Sequence, residues 1–215
     1  MDERLSAYLK SLEPPMTEAL EKLEKSEKEA FVPIIRKEEQ SFLRAIIELI
    51  KPGKILEIGT GSGFSALFMR EYAGDDCEIT TIEYFPARIE ASRKHFEEAG
   101  ADNITLIPGD ALVEVPKLSG EYDLIFLDGA KGQYPNLLPH LKILLRSGGV
   151  LLTDNVLQEG TILDSRYIIK QRDRTIHSRM REYLYLLKHD DELTTSILPM
   201  GDGLAFSIKK IKELI

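Results

Sequence analysis

From Gly53 onward the chain alternates short apolar runs with segments that are long enough to form a helix. Five of the runs lack a polar face, and they occupy residues 55–58, 79–82, 104–107, 124–127 and 150–153. Strands of this kind are buried on both sides, as in a parallel sheet covered by helices, and their alternation with helices is typical of βαβ units. The pattern predicts a three-layer α/β fold with a mostly parallel sheet.

The two ends of the chain depart from this alternation. Residues 1–50 have the apolar spacing of helices. Near the other end, a helix predicted at 173–188 is followed by two runs, 194–198 and 204–208, with only a turn between them. We therefore predict a helical extension at 1–50, one globular unit at 51–215, and a late hairpin that makes one strand antiparallel.

The charge and cysteine content limit the classes of protein that fit. The 215 residues include 28 basic and 36 acidic side chains, a net charge of −8, which argues against a surface that binds nucleic acid throughout. A local basic stretch remains, because residues 166–181 carry six Lys or Arg and one Asp.

The single cysteine, Cys77, excludes a disulfide within the chain and favours a reducing compartment. No N-terminal apolar run suits a signal peptide or a membrane span, so we expect a cytoplasmic protein with no membrane partner.

A glycine-rich turn follows the first apolar run, at residues 57–65. Glycine lets the backbone approach a ligand closely, and the helix that begins there offers free N–H groups. The spacing is G-x-G-x-G, whereas dinucleotide sites have G-x-G-x-x-G, so NAD is disfavoured. Glu57 precedes the first glycine and Glu83 ends the second run, which suits a ligand with one ribose and no pyrophosphate, such as S-adenosylmethionine. The alternative is a tight strand-to-helix turn without a ligand.

Polar side chains end the fourth and fifth runs, namely Asp128 and the pair Asp154 and Asn155. The carboxyl ends of neighbouring parallel strands lie together, and carboxylate and amide oxygens suit Mg²⁺ or a similar ion. A helix cap for Asp128 and a turn for the pair are the alternatives. Lys131 follows Asp128 by three residues, and a nearby divalent ion would disfavour its ammonium form, so it is the candidate general base.

These residues resemble the cation-dependent class I O-methyltransferases, the family that contains the catechol and caffeoyl-CoA methyltransferases. The resemblance covers about residues 30–210 and rests on six stretches, 57–65, 82–83, 109–111, 128–134, 153–157 and 199–203. It implies a Rossmann-like fold with a seven-stranded sheet in the order 3-2-1-4-5-7-6 and an antiparallel strand 7. It also implies S-adenosylmethionine as cofactor, Mg²⁺ or another divalent ion such as Mn²⁺, and a homodimer.

The same resemblance implies roles for individual residues. Glu83 would hold the ribose hydroxyls, Asp128 would serve both cofactor and metal, and Lys131 would be the base. Asp154 and Asn155 would complete the metal ligands. The full set of implied cofactor contacts is Ile35, Glu57, Gly59, Gly61, Ser65, Glu83, Asp110, Ala111 and Asp128.

Within this family the sequence is most similar to the bacterial tRNA 5-hydroxyuridine methyltransferases, which implies that the chain makes 5-methoxyuridine at the wobble position of an anticodon loop. Arg172, Arg174 and Arg179, in the basic stretch, are the candidate RNA contacts. A helix with a solvated basic face is the structural alternative. A small catechol-like or caffeoyl-CoA-like phenol is the alternative substrate, because it also presents two neighbouring oxygens to a cation. More remote alternatives are an NAD-dependent oxidoreductase and a non-catalytic cofactor-binding module.

Overall fold

The computed structural model describes residues 3–165 and 167–211, and these form a seven-stranded mixed sheet with helices on both faces. The strands are β1 (Lys54–Ile58), β2 (Glu78–Glu83), β3 (Ile104–Pro108), β4 (Tyr122–Leu127), β5 (Leu145–Thr153), β6 (Leu193–Leu198) and β7 (Leu204–Lys209). Their order is β3-β2-β1-β4-β5-β7-β6, and β7 is antiparallel to both of its neighbours. The predicted sheet order and the antiparallel seventh strand are confirmed.

The helices connect and cover these strands. They are α1 (Glu3–Ser11), α2 (Glu18–Glu29), α3 (Lys37–Ile50), α4 (Phe64–Ala73), α5 (Pro86–Glu98), α6 (Ala111–Glu114), α7 (Tyr134–Leu144) and α8 (Arg174–Lys188). Short 3-10 turns include Lys131–Gln133 and Gln158–Leu163. Across residues 3–165 and 167–211, no helix combines the length and the apolar character that crossing a membrane requires.

Alternate residues of the central strands pack into two separate apolar clusters, one on each face of the sheet. In β4, Leu124 and Phe126 join the cluster that contains side chains of α2, α3, α4 and α5, while Ile125 and Leu127 join the cluster of α7 and α8. This follows from the two-residue period of a strand. Complete burial of a Leu or Ile side chain contributes roughly 1.5–3 kcal/mol to folding, so a strand that is apolar on both faces stabilises both layers.

The helices before β1 pack on the sheet to different extents. In α3, Leu43, Ile46 and Ile47 are buried in the same cluster as α4. On α1, Leu5 and Leu9, which the sequence places on one helical face, are exposed. The region predicted as an extension therefore contributes α3, and Leu20 of α2, to the core of the globular unit.

The carboxyl ends of the central parallel strands lie side by side. The register pairs Ile58 with Ile82 on one side and with Leu127 on the other, and Leu127 pairs with Thr153. The residues that directly follow these positions therefore share one edge of the sheet. Ligands of open α/β folds bind at this edge.

Candidate active site

The glycine-rich turn between β1 and α4 has a left-handed backbone at its glycines. The φ angle is 101° at Gly59, 55° at Gly61 and 95° at Gly63, values that favour glycine. A Cβ at Gly59 would lie 2.1 Å from the carbonyl oxygen of Asp128, whereas a Cβ at Gly61 would meet no atom within 4 Å. Close packing against the end of β4 therefore requires Gly59, and Gly61 borders open space that a ligand can occupy.

Glu57 lies beneath this turn and is completely buried. One carboxylate oxygen accepts a hydrogen bond from the Ser65 hydroxyl, and the other accepts from the Thr81 hydroxyl at 2.5 Å. Burial raises the pKa of Glu57 to about 7, although both hydroxyl hydrogen bonds oppose the shift. Two of the predicted cofactor contacts, Glu57 and Ser65, thus connect β1, β2 and α4 under the turn.

The carboxylate of Glu83 joins the glycine turn to the end of β2. Its Oε2 accepts a hydrogen bond from the backbone N–H of Gly61 at 2.9 Å, and Oε1 accepts from the N–H groups of Tyr84 and Phe85 at 2.8 and 2.9 Å. A carboxylate has about four acceptor positions, so these three donors leave capacity for a ligand hydroxyl. Glu83 is therefore held in a fixed orientation beside the open space at Gly61.

Asp110 and Ala111 lie at the end of β3, next to this region. The N–H of Gly109 donates to the carbonyl of Glu83 at 2.8 Å, which ties the two strand ends together. Asp110 is exposed and caps α6, because its Oδ1 accepts from the N–H of Leu112 at 2.9 Å. The capping interaction accounts for the acid at this position without a ligand, so its contact with the cofactor stays a prediction.

Ile35, another predicted cofactor contact, precedes α3. Its side chain is buried in the apolar cluster that contains Leu43. Its carbonyl accepts a hydrogen bond from the side-chain amide of Gln40 at 2.9 Å. The structure thus gives the Ile35 carbonyl a protein partner, and a role in cofactor binding stays a prediction.

Asp128 and Asp154 end neighbouring strands, where the sequence placed them. The N–H of Asp128 donates to the carbonyl of Ile58 at 2.9 Å, and the N–H of Asp154 donates to the carbonyl of Leu127 at 3.0 Å. Asn155 has a left-handed φ of 60°, and its N–H donates to Oδ1 of Asp154 at 2.5 Å. The three predicted metal ligands are therefore neighbours at the carboxyl edge of the sheet.

Burial makes this arrangement of acids electrostatically unfavourable unless a cation or protons are present. Desolvation raises the pKa of Asp154 and of Asp128, and the charges of Asp128 and Glu39 raise that of Asp154 further. The positive charge of Lys131 lowers the pKa of Asp128. Among the residues that the structure describes, no three His, Cys, Asp or Glu side chains form a ready-made metal cluster. The candidate set accordingly depends on two carboxylates and the Asn155 amide.

Lys131 begins a 3-10 turn that follows β4, and it is partly buried near Asp128. Tyr134 starts α7 just beyond this turn and is fully buried. Its hydroxyl lies 3.4 Å from the carbonyl of Leu127 and 3.5 Å from that of Asp154, the two acceptors available to it. Tyr134 therefore supports the strand ends from below, and Lys131 is the candidate base whose charge acts on Asp128.

A third acid, Glu39 of α3, also belongs to this edge and was not anticipated from the sequence. Its Oε1 accepts a hydrogen bond from the N–H of Asp202, a residue 163 positions later in the chain. Its charge raises the pKa of both Asp154 and Asp128, so it acts on the two predicted carboxylate ligands. The sequence signal was only an acid in the first turn of a helix, whose usual role is capping.

Two of the candidate RNA contacts have acidic neighbours on the surface. Arg172 is exposed, with its Nε 3.5 Å from a carboxylate oxygen of Asp173. Arg179 lies 3.5 Å from a carboxylate oxygen of Glu182 and 3.5 Å from the side-chain oxygen of Asn136. Exposed pairs of this length contribute little, about 0–1 kcal/mol, so both guanidinium groups are available to a ligand.

Arg174 has an internal structural role. Its Nε donates to the carbonyl of Ile169 at 3.0 Å, and one terminal nitrogen donates to the carbonyl of Tyr167 at 3.4 Å. The same helix approaches the Lys131 turn, because a Cβ at Gly132 would lie 3.8 Å from Ile176. The basic segment therefore borders the candidate site, while Arg174 holds the loop in front of α8. Arg166 lies outside the described residues.

Comparison with known proteins places the chain in a family. A family model described as O-methyltransferase matches residues 5–210. The chain belongs to the O-methyltransferase family. A Mycobacterium marinum protein of this family is 30% identical over 171 residues, which is 78% of this chain and 74% of its own length. The catechol O-methyltransferase of Mycobacterium tuberculosis is 36% identical over 124 residues, 57% of this chain and 56% of that protein.

Solved structures of similar proteins agree with the family and the fold. A Staphylococcus aureus protein of the caffeoyl-CoA O-methyltransferase class has a TM-score of 0.89 and 29% identity, covering 96% of this chain and 100% of its own. The Podospora anserina methyltransferase PaMTH1, solved with S-adenosylhomocysteine, has a TM-score of 0.87 and 30% identity over 98% of this chain and 97% of its own. The chain is thus an O-methyltransferase of the S-adenosylmethionine-dependent type.

Proposed function

We propose that this O-methyltransferase transfers a methyl group from S-adenosylmethionine to one hydroxyl of a small catechol-type phenol, with the help of a divalent cation. The observation that carries the proposal is the pair of carboxylates Asp128 and Asp154 at neighbouring strand ends, beside the glycine turn and Lys131. The names of the Mycobacterium tuberculosis and Staphylococcus aureus relatives support a phenolic acceptor.

The glycine turn and the end of β2 would hold the cofactor. The open space at Gly61 leaves room for it, and the Glu83 carboxylate beside that space is oriented by three backbone donors. Two adjacent ribose hydroxyls can donate to the acceptor capacity that remains on Glu83. The left-handed glycines let the ligand approach the backbone closely.

A divalent cation fits the acids at the neighbouring strand ends. Asp154 is 3% exposed and has Asp128 and Glu39 as neighbours, so negative charge is concentrated where water is scarce. Two carboxylates and the Asn155 amide are the oxygen donors that Mg²⁺ or Mn²⁺ prefers. When bound, the cation would supply positive charge that lowers the pKa of the acceptor hydroxyl.

The chain's own residues would position the acceptor and remove its proton. S-adenosylmethionine would supply the methyl group, with the new bond from the hydroxyl oxygen to the methyl carbon replacing the bond from that carbon to sulfur, and Nζ of Lys131 would take up the hydroxyl proton. Direct transfer needs oxygen, carbon and sulfur in line, and the fixed strand ends at Asp128 and Asp154 provide such positioning. S-adenosylhomocysteine and the methyl ether are the products.

A wobble 5-hydroxyuridine in tRNA is the second candidate acceptor, because its 5-oxygen and 4-carbonyl form an equivalent oxygen pair. The exposed Arg172 and the half-buried Arg179 favour this candidate, since RNA phosphates need cations on an otherwise acidic protein. The use of Arg174 within the loop reduces the basic surface that such an RNA would contact.

The experiment that tests both candidates offers the purified protein a catechol and, separately, an anticodon stem-loop that contains 5-hydroxyuridine. Methylated product is measured by mass spectrometry with S-adenosylmethionine and Mg²⁺, and again with a chelator. Transfer to the catechol that exceeds transfer to the RNA supports the proposal, and the reverse preference supports the RNA candidate.

Two variants test the part played by the acids. We expect Asp154→Ala to lose metal-dependent transfer and keep binding of S-adenosylhomocysteine, whereas Asp102→Ala, an exposed acid before β3 at the opposite sheet edge, keeps both. Full transfer in chelator without added ion would contradict the cation-assisted mechanism.

A further inference from the structure

The turn between β6 and β7, residues 199–203, is built around a side chain from the N-terminal part of the chain. Gly201 has a φ of 54°, and a Cβ at this position would lie 1.8 Å from Oε1 of Glu39. The same oxygen accepts a hydrogen bond from the N–H of Asp202 at 3.3 Å. The left-handed backbone favours glycine at 201, and the Glu39 carboxylate occupies the space beside the turn.

Glu39 is also attached to the start of its own helix. Its Oε2 accepts a hydrogen bond from the N–H of Arg36 at 2.7 Å, which caps α3. The residue is 4% exposed, so both oxygens are largely removed from bulk water. Two backbone donors on separate segments thus determine the orientation of the carboxylate.

This fixed carboxylate faces the candidate cation site. The turn that it anchors is bonded to the segment just after Asp154, because the N–H groups of Val156 and Leu157 donate to the carbonyls of Gly203 and Asp202, each at 2.9 Å. The charge of Glu39 also raises the pKa of Asp154 and of Asp128. Asp202 extends the connection, because one of its carboxylate oxygens accepts from the N–H of Glu159 in the loop after β5. Glu39 therefore links α3, the 199–203 turn and the loop that begins at the predicted metal ligands.

We infer that Glu39 is a positioning residue that orients Asp154 and adds a third negative charge beside the cation site, and thereby raises the affinity for a divalent ion. The inference rests on the proposed function, because it needs a cation at Asp128 and Asp154. Groups that orient a metal ligand typically change metal affinity roughly 10–100-fold when they are removed. The burial of Glu39 limits screening of its charge by solvent.

Binding of Mn²⁺ to the full chain, measured by electron paramagnetic resonance, tests the inference. We expect Glu39→Gln, which has nearly the same shape, to bind Mn²⁺ at least about 10-fold more weakly than the unmodified chain. Glu48→Gln is the matched control, because Glu48 lies on the same helix with an exposed side chain paired only with Arg44 among the contacts described. Binding of S-adenosylhomocysteine should be the same in all three proteins.

Activity supplies a second readout that separates positioning from a merely structural role. With Glu39→Gln, the Mn²⁺ concentration for half-maximal activity should rise, while kcat at saturating Mn²⁺ should return close to that of the unmodified chain. A structural role alone would lower the thermal stability of the metal-free protein and leave the Mn²⁺ affinity unchanged, which would overturn the inference.

Glu39→Asp keeps the test decisive if Glu39→Gln does not fold. The shorter side chain retains the charge and withdraws it from Asp154, so Mn²⁺ affinity should fall by a smaller factor, and no change would overturn the inference. Absence of Mn²⁺ binding to the unmodified chain would overturn both the inference and the cation-assisted mechanism, whereas binding that is equal in all variants would overturn the inference alone.

Discussion

Three buried glutamates surround the site, and the surroundings of each decide what it can do. Glu57 is completely buried, accepts hydrogen bonds from two hydroxyls of the protein and supports the glycine turn from below. Glu83 takes three backbone donors and has acceptor capacity left for a ligand. Glu39 connects two backbone segments beside Asp154. The same side chain thus serves as a support, a ligand-binding group and a positioning residue.

Lys131→Ala should lower turnover far more than cofactor affinity. The lysine is assigned to the proton of the acceptor hydroxyl, and a positioned base typically contributes roughly 10²–10⁴-fold. The positively charged sulfonium gains nothing from a neighbouring ammonium group, so its binding should persist. Turnover across a range of pH and calorimetric binding of S-adenosylhomocysteine check this, with exposed Lys94→Ala as control. An unchanged pH profile in Lys131→Ala would contradict the assignment.

Glu83→Ala should show the opposite pattern, with cofactor binding as the first defect. The substitution removes the acceptor for the ribose hydroxyls and also releases the N–H groups of Gly61, Tyr84 and Phe85. Loss of a charged hydrogen-bond partner costs about 1.5–3 kcal/mol, which corresponds to roughly 10–150-fold weaker binding. Calorimetry with S-adenosylhomocysteine measures this. Equal binding by the variant and the unmodified chain would remove Glu83 from the cofactor site.

At the scale of elements, α8 and the loop before it combine a buried side with a basic, exposed side. Met180, Tyr183 and Leu187 belong to the apolar cluster under the sheet, and the Tyr183 hydroxyl is 2.7 Å from that of Thr153 in β5. Ile168, in the loop before α8, is exposed. The helix is therefore a structural element whose N-terminal end also borders the candidate active site.

Arg174→Ala and Arg172→Ala should have different effects, because only Arg174 donates to loop carbonyls among the described contacts of these two residues. Loss of Arg174 should loosen residues 167–173 and increase their amide exchange, whereas loss of Arg172 should leave exchange unchanged. If an RNA is the substrate, Arg172→Ala should weaken its binding and reduce the salt dependence while transfer to catechol persists. Hydrogen exchange and binding at several salt concentrations check these outcomes. Equal exchange in both variants would contradict the structural role of Arg174.

At the scale of the whole molecule, buried acids at one sheet edge make stability depend on pH. Burial raises the pKa of Glu57 from its ordinary value of 4.5 to about 7, and it also raises those of Asp128 and Asp154. Between the unfolded and the folded pKa, the native state binds more protons than the unfolded state, so stability falls as pH rises. A bound cation would offset this loss, because its ligands are deprotonated.

The metal-free protein should therefore unfold at a lower temperature at pH 8 than at pH 5.5. For Glu57 alone, the difference between the unfolded and the folded pKa lowers the free energy of unfolding by an amount on the order of 3 kcal/mol once the pH has risen above both values. Glu57→Gln should flatten part of this pH dependence, and added Mg²⁺ should raise the unfolding temperature more at pH 8 than at pH 5.5. Scanning calorimetry measures all of these quantities. A stability that increases over this pH range would contradict the assigned shifts.

The positions of Asp128, Asp154 and Glu83 could be predicted because local patterns determine them. Apolar runs define strands, and the residue that ends a parallel strand must lie at the carboxyl edge of the sheet. The three-layer arrangement follows from the apolar runs that lack a polar face, since a sheet of such strands needs helices packed on both of its faces. The spacing of the glycines likewise indicates a close turn, because positive φ angles favour glycine. The order of the strands came from the family resemblance.

Only the tertiary structure revealed the role of Glu39 and the internal use of Arg174. Glu39 reaches Asp202 across 163 positions because α3 packs on the sheet face and brings its first turn to the β6–β7 turn. Arg174 meets backbone carbonyls of an irregular loop, and no side-chain pattern encodes the position of a carbonyl. The sequence by itself determined the strands, the helices between them and the acids at the strand ends, because local periodicity encodes these features. Contacts between distant segments depended on the tertiary structure, because the packing of the helices on the sheet is set by the shape of the whole core.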